Sequence, residues 1–255
     1  MNAAATALAP TTSAHPSRVL AVFRLHFVNP VTVAWMPLGI YGFIFAMNWL
    51  IWLIVNVSTS DGREGMAEGT TWSGASMFIF VWLLVIAVQA MNRTFHFALG
   101  FGATRRDYYL GTLAALVLSA AGWSIVFGIL AVIEEATDGW GLGGHMFASV
   151  YFGDDGPIAR VWYVFLLMLF FTAIGLVAGA LFVRWRTFGL IGFFAVLALV
   201  LVGGLAWIGL TNSWAAVGSF FGTLGFAGGY PLFLVPIAIA VALGYLALRR
   251  ATARS

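Results

Sequence analysis

The sequence predicts an all-α membrane protein with six transmembrane helices, cytoplasmic N- and C-termini and a short interfacial helix near the N-terminus, and three observations carry this prediction. First, 62% of the 255 residues are hydrophobic and only 8% charged, with a mean hydropathy of +0.99, whereas about a quarter of the residues of a soluble domain are charged. Second, apolar runs at 36–57, 72–91, 108–133, 161–183, 188–210 and 231–248 are each long enough for a hydrocarbon core that takes about 20 helical residues. Third, the arginines fall mainly into alternate connections between those runs. A helix satisfies its own backbone groups in lipid, and the alternating pattern of barrel strands is not seen.

Residues 1–17 are rich in Ala, Thr, Ser and Pro and carry no charged side chain. They lack the basic start and apolar stretch of a signal peptide, so they are read as a disordered cytoplasmic tail. The rest, 18–255, is read as one transmembrane domain. Over 18–28, Leu20, Phe23 and Phe27 recur at helical spacing opposite Arg18 and His26, and Asn29 and Pro30 end the pattern. Such a segment lies in the membrane interface and feeds the first span. The competing reading is an extension of that span.

Orientation comes from arginine. With the N-terminus inside, Arg18, Arg24, Arg93, Arg105, Arg106, Arg184, Arg186, Arg249, Arg250 and Arg254 are cytoplasmic, leaving Arg63 and Arg160 outside, as the positive-inside rule requires. The outer loops are then 58–71, 134–160 and 211–230. Small residues mark expected helix contacts: Gly111, Ala115 and Ser119 in the third span, Gly175 and Gly179 in the fourth. Pro236 is expected to kink the last span or free a carbonyl. The uncharged loop 211–230, with Trp214, Phe220, Phe221 and Phe226 among glycines, is too apolar to be fully solvated.

Chemistry within the spans is sparse. Asn48 and Gln89 are the clearest polar side chains at depth, and no ionisable group sits near the centre of a span, which argues against a proton-coupled carrier. The pair is read as hydrogen-bonding between helices, with a substrate path as the alternative role. Outside, Glu134, Glu135, Asp138, His145, Asp154 and Asp155 surround a glycine-rich segment. Their spacing matches no calcium loop, so an ordinary solvated loop is favoured over a metal site. There is no cysteine and no paired-histidine motif, and no serine in a nucleophile elbow. All 12 basic residues are arginine, so the chain cannot build a phosphate-binding loop with its lysine. It is read as a non-enzyme without cofactor, and no nucleic-acid partner is inferred.

The most informative connection is 93–111, RTFHFALGFGATRRDYYLG. Thr104 followed by Asp107 fits a capping box and starts a helix there. Arg105 and Arg106 then occupy its first turn, where the macrodipole disfavours cations. Two functions account for that placement: anchoring to anionic lipid on the cytoplasmic face, or docking onto an acidic partner. This stretch, lying between two spans, resembles the first cytoplasmic loop of bacterial ATP-binding-cassette transporter permeases of the exporter class. The resemblance implies a coupling segment, 93–107, that rests on a separate ATPase subunit. Phe95, His96, Phe97, Leu99, Arg105, Arg106 and Asp107 would form that interface. ATP and magnesium would be bound by the partner ATPase, and a second permease copy or a related permease would complete a substrate pathway in the cell membrane. The last outer loop would contain short re-entrant helices. The cargo implied by an apolar, aromatic cavity is an amphiphilic drug, peptide or lipid moved outward. The alternative is a membrane anchor or regulatory binding protein that transports nothing.

Overall fold

The computed structural model describes residues 18–59 and 62–251. The tail read over 1–17, and Arg254 with Ser255, lie outside these residues. Every regular element among the described residues is helical. The α-helices in chain order are α1 (Arg18–Leu25), α2 (Met36–Ser58), α3 (Gly62–Thr70), α4 (Phe78–Gly100), α5 (Arg105–Ala136), α6 (Pro157–Leu210), α7 (Trp214–Gly229) and α8 (Leu234–Arg249).

Among the described residues, five helical stretches are long and apolar enough to cross a membrane: Val31–Ser58, Ala75–Gly100, Arg105–Ala136, Pro157–Leu210 and Trp214–Arg249. The difference from six apolar runs lies in α6, whose 54 residues contain one non-helical residue, Arg186, at φ 57° and ψ −145°. The chain folds back there. A Cβ placed on Gly189 would lie 2.7 Å from the carbonyl oxygen of Leu181, eight residues earlier, whereas eight residues of straight helix span about 12 Å. α6 is therefore two antiparallel pieces, 157–185 and 187–210, joined by a tight reversal between the fourth and fifth apolar runs. The loop read over 211–230 is largely helix α7, broken at Gly225 (φ 59°, ψ −170°) and linked by a tight turn, Tyr230–Phe233, to α8. Pro236 consequently falls in the first turn of α8. Its missing amide has no intrahelical partner to lose there, so the expected kink does not arise.

Close backbone approach holds the bundle together. On α6, a Cβ on Gly175 would strike the Leu84 carbonyl oxygen, and one on Gly179 would meet the Met91 Cβ at 2.7 Å. The small residues at 175 and 179 thus mark the α4 contact, as their spacing predicts. On α5, Gly111 admits α1, since its Cβ would lie 2.7 Å from the Val19 carbonyl oxygen. Val22 is the buried residue of α1, while the Phe23 and Phe27 rings pack on each other at 5.2 Å. Two apolar cores result. One gathers Tyr41, Trp52, Phe80, Phe127, Phe147 and Phe152 toward the end that carries α3 and the 137–156 connection. The other gathers Val22, Met91, Phe95, Tyr108, Leu176 and Leu248 toward the opposite end.

Candidate functional site

The turn between α4 and α5 is shorter than the predicted 93–107 segment. Residues 93–100 continue α4 to its end, and helix resumes at Arg105. Thr104 caps α5 as expected: its Oγ1 accepts from the Asp107 amide at 3.1 Å and donates to Asp107 Oδ2 at 2.7 Å. The carboxylate thereby places a negative charge at the positive end of the helix dipole.

The seven residues read as one interface have different environments. Phe95 is 0% exposed and packs edge-on against Tyr108 at 5.2 Å, so it belongs to the core. Phe97 is 54% exposed and pairs with Phe101, 79% exposed, at 4.7 Å. His96 lies outside beside Phe95, and Leu99 is half-buried against the inner core. Arg106 is exposed, whereas Arg105 donates through Nη1 to the Arg249 carbonyl oxygen at 3.1 Å, at the C-terminus of α8. That contact explains a cation in the first turn of α5. It sits at the negative end of a neighbouring helix, where a cation is favoured. The surface-facing set is therefore His96, Phe97, Phe101 and Arg106. Phe97, Ala98, Phe101 and Ala103 form one wall of a groove of about 270 Å³, with Arg18, Ala21, Val22 and Leu25 of α1 opposite.

α1 is held by a polar contact as well as by Val22. His26 Nε2 lies 2.9 Å from Thr112 Oγ1 on α5, and burial holds the imidazole pKa down to about 4. The ring is therefore neutral at pH 7.

Neither Asn48 nor Gln89 bridges helices. Asn48 donates to the Ile44 carbonyl at 2.9 Å within its own helix. That bond satisfies its amide without a second element. Gln89 opens into a cleft between α4 and the 25–33 segment.

At the opposite end, most of the carboxylates are engaged by the protein rather than solvated. Glu134 is fully buried and accepts from the amides of Met146, Phe147 and Ala148 at 2.8–3.2 Å and from Trp140 Nε1 at 2.9 Å. Four donors converge on one charge, which anchors the glycine-rich connection. Glu135 pairs with Arg160 at 2.7 Å, and Arg160, 5% exposed, also donates to the Gly153 carbonyl. Asp138 pairs with Arg63, and Asp155 accepts from the Tyr163 hydroxyl at 2.6 Å. Among the described residues no three His, Asp or Glu side chains gather as a metal site. Phe101, Glu134 and Arg160 are the structurally important residues that sequence reasoning left without a role. The only signal for Glu134 was an acidic helix end followed by a glycine-rich segment.

No family model matches the chain, and neither the curated proteins nor the solved structures contain a match.

Proposed function

We propose that this chain is the membrane subunit of an ATP-binding-cassette exporter in the cell membrane. It supplies half of a substrate pathway and works with separate ATPase subunits and a second permease. In this reading 157–185 and 187–210 are two crossings, giving six in all, and both termini are cytoplasmic. Arg18, Arg24, Arg93, Arg105, Arg106, Arg184, Arg186, Arg249 and Arg250 then share the cytoplasmic face, with Arg63 and Arg160 outside. The chain contains no lysine for a phosphate-binding loop, so the partner binds ATP and magnesium and hydrolyses the nucleotide.

The observation that carries the reading is the exposed Phe97–Phe101 pair on the α4–α5 turn, beside Arg106 and the groove against α1. Aromatic anchors at an interface centre typically contribute about 2 kcal/mol or more, while rim charges set registry. Because α5 runs unbroken from this turn across the bundle, a push on the turn moves a whole rigid element. Nucleotide-dependent contact at the turn biases the two-state rocking of the halves. The cargo is an amphiphile, matched to apolar and aromatic surroundings.

Purification from native membranes with identification of bound subunits tests this directly. An ATPase should co-purify, and Phe97→Ala should lower its recovery about tenfold or more while membrane levels stay unchanged. Arg106→Glu should reduce transport per ATP hydrolysed and leave association largely intact. Arg106 is a cleaner probe than Arg105, whose guanidinium also caps α8. Unchanged ATPase recovery and transport in both variants would exclude the turn as the coupling element. Recovery of the chain without any ATPase would favour the non-transporting anchor.

A further inference from the structure

Between α4 and the segment 25–33 that leads from α1 into the first span, at the end where the arginines gather, lies a cleft of about 320 Å³. Four of its polar side chains, Asn29, Thr32, Gln89 and Arg93, have donors to spare. Asn29 uses Oδ1 to accept from the Val31 amide at 3.1 Å, leaving its NH₂ group. Thr32, Gln89 and Arg93 make no side-chain hydrogen bond or ion pair among the described residues. The other polar side chains with partners are His26, paired with Thr112, and Thr94, paired with the Ala90 carbonyl and the Tyr108 hydroxyl. No carboxylate lines the cleft. Ile86, Gln89 and Arg93 stand on one face of α4 at helical spacing, so a single ligand can span an apolar and a cationic portion of that face. Val28 and Val33 continue the apolar wall, and Val28 and Val31 are exposed.

We propose that this cleft binds one anionic phospholipid of the surrounding bilayer, its phosphate held by Arg93, Gln89 and Asn29 and an acyl chain lying along Val33 and Ile86. The chemistry favours a lipid with net negative charge over a zwitterionic one. A guanidinium and two amides supply donors for phosphate oxygens, whereas no acidic side chain lines the cleft to receive a choline or ethanolamine cation. The position also suits a lipid rather than a soluble anion, because the apolar wall is continuous with the exposed apolar surface at the start of the first span. Bound there, the lipid would fill the space between the 25–33 segment and α4 and fix the passage from α1 into the first span.

Native mass spectrometry of the purified chain, exchanged into detergent with equimolar phosphatidylglycerol and phosphatidylcholine, tests the site. The parental chain should retain one phosphatidylglycerol in preference to phosphatidylcholine. Arg93→Gln should lower phosphatidylglycerol retention about tenfold and leave phosphatidylcholine unchanged, and Gln89→Leu should lower it less. Arg24→Gln, an exposed arginine on α1 outside the cleft, should have no effect. Equal retention of both lipids by the parental chain would overturn the proposal. So would parental behaviour of Arg93→Gln, or an Arg24→Gln loss as large as that of Arg93→Gln, which would indicate diffuse attraction. Arg93 is exposed, so its replacement removes no core contact, and a monodisperse elution profile verifies folding. No ATPase enters the measurement. Its failure therefore leaves the exporter reading untouched, and failure of that reading leaves the lipid site standing.

Discussion

Residues 78–185 and residues 187–229 are similarly apolar and meet opposite fates. In the first region Phe80, Phe95, Phe127, Leu166 and Met168 are all at most 1% exposed. In the second, Gly189 is the one buried residue. The glycines explain the contrast. Gly175 and Gly179 sit where any side chain would strike α4, while a Cβ added at Gly192, Gly203, Gly204, Gly218 or Gly222 would meet nothing within 4 Å. A small residue thus marks a contact only where another backbone has come to meet it. Hydropathy places the long helices of both regions in lipid, but lipid tails are as apolar as leucine. Composition therefore says nothing about which helix faces its neighbours and which faces the bilayer.

The sharpest test of this contrast is large-to-small substitution in each region. Phe127→Ala should destabilise the chain by about 3–5 kcal/mol, the usual loss for truncating a buried phenylalanine. Leu201→Ala, at a residue 59% exposed, should change stability by less than about 1 kcal/mol, as is usual for surface positions. Thermal unfolding in detergent measures both, and a comparable loss at Leu201 would break the distinction.

Small-to-large changes give a somewhat weaker effect with the same logic. Gly179→Leu should cost about 1–3 kcal/mol or more through overpacking against Met91 and Val88, whereas Gly204→Leu should be nearly neutral. If Gly204→Leu instead disrupts the native complex while leaving the isolated chain stable, the exposed region is covered by another subunit rather than by lipid.

The smallest expected effect concerns how firmly α1 belongs to the packed region. His26 has a pKa lowered by burial from 6.5 to about 4, so between those values the undocked helix binds a proton that the docked helix does not. Docking is therefore fully stable above pH 6.5 and weakens as pH falls toward 4. Spin labels on α1 and α5 should separate over that interval, and His26→Leu should remove the dependence. A separation unaffected by the substitution would assign the response to another group.

Much of the secondary structure was legible from local chemistry. Apolar runs specified helices, because a backbone in lipid has no other way to satisfy its amides. Thr104 and Asp107 specified where α5 begins, and the reversal at Arg186 falls in the gap between two of the runs. The candidate site was legible as a place but not as a set of residues. Phe95 and Phe97 are two positions apart, hence about 200° apart around a helix, and so point to opposite sides. Periodicity required one of them to be buried and the other exposed, but the choice depended on where Tyr108 stood. Arg105 looked like a free cation until α8 brought the Arg249 carbonyl to it. Glu134 looked like a solvated charge until the 140–148 backbone folded over it. Which segments are helical and which end is basic can be read along the chain, since both follow from solvation and charge within a few residues. Which polar groups are paired and which apolar faces are covered emerges only when the helices assemble, because those outcomes depend on partners far away in the chain.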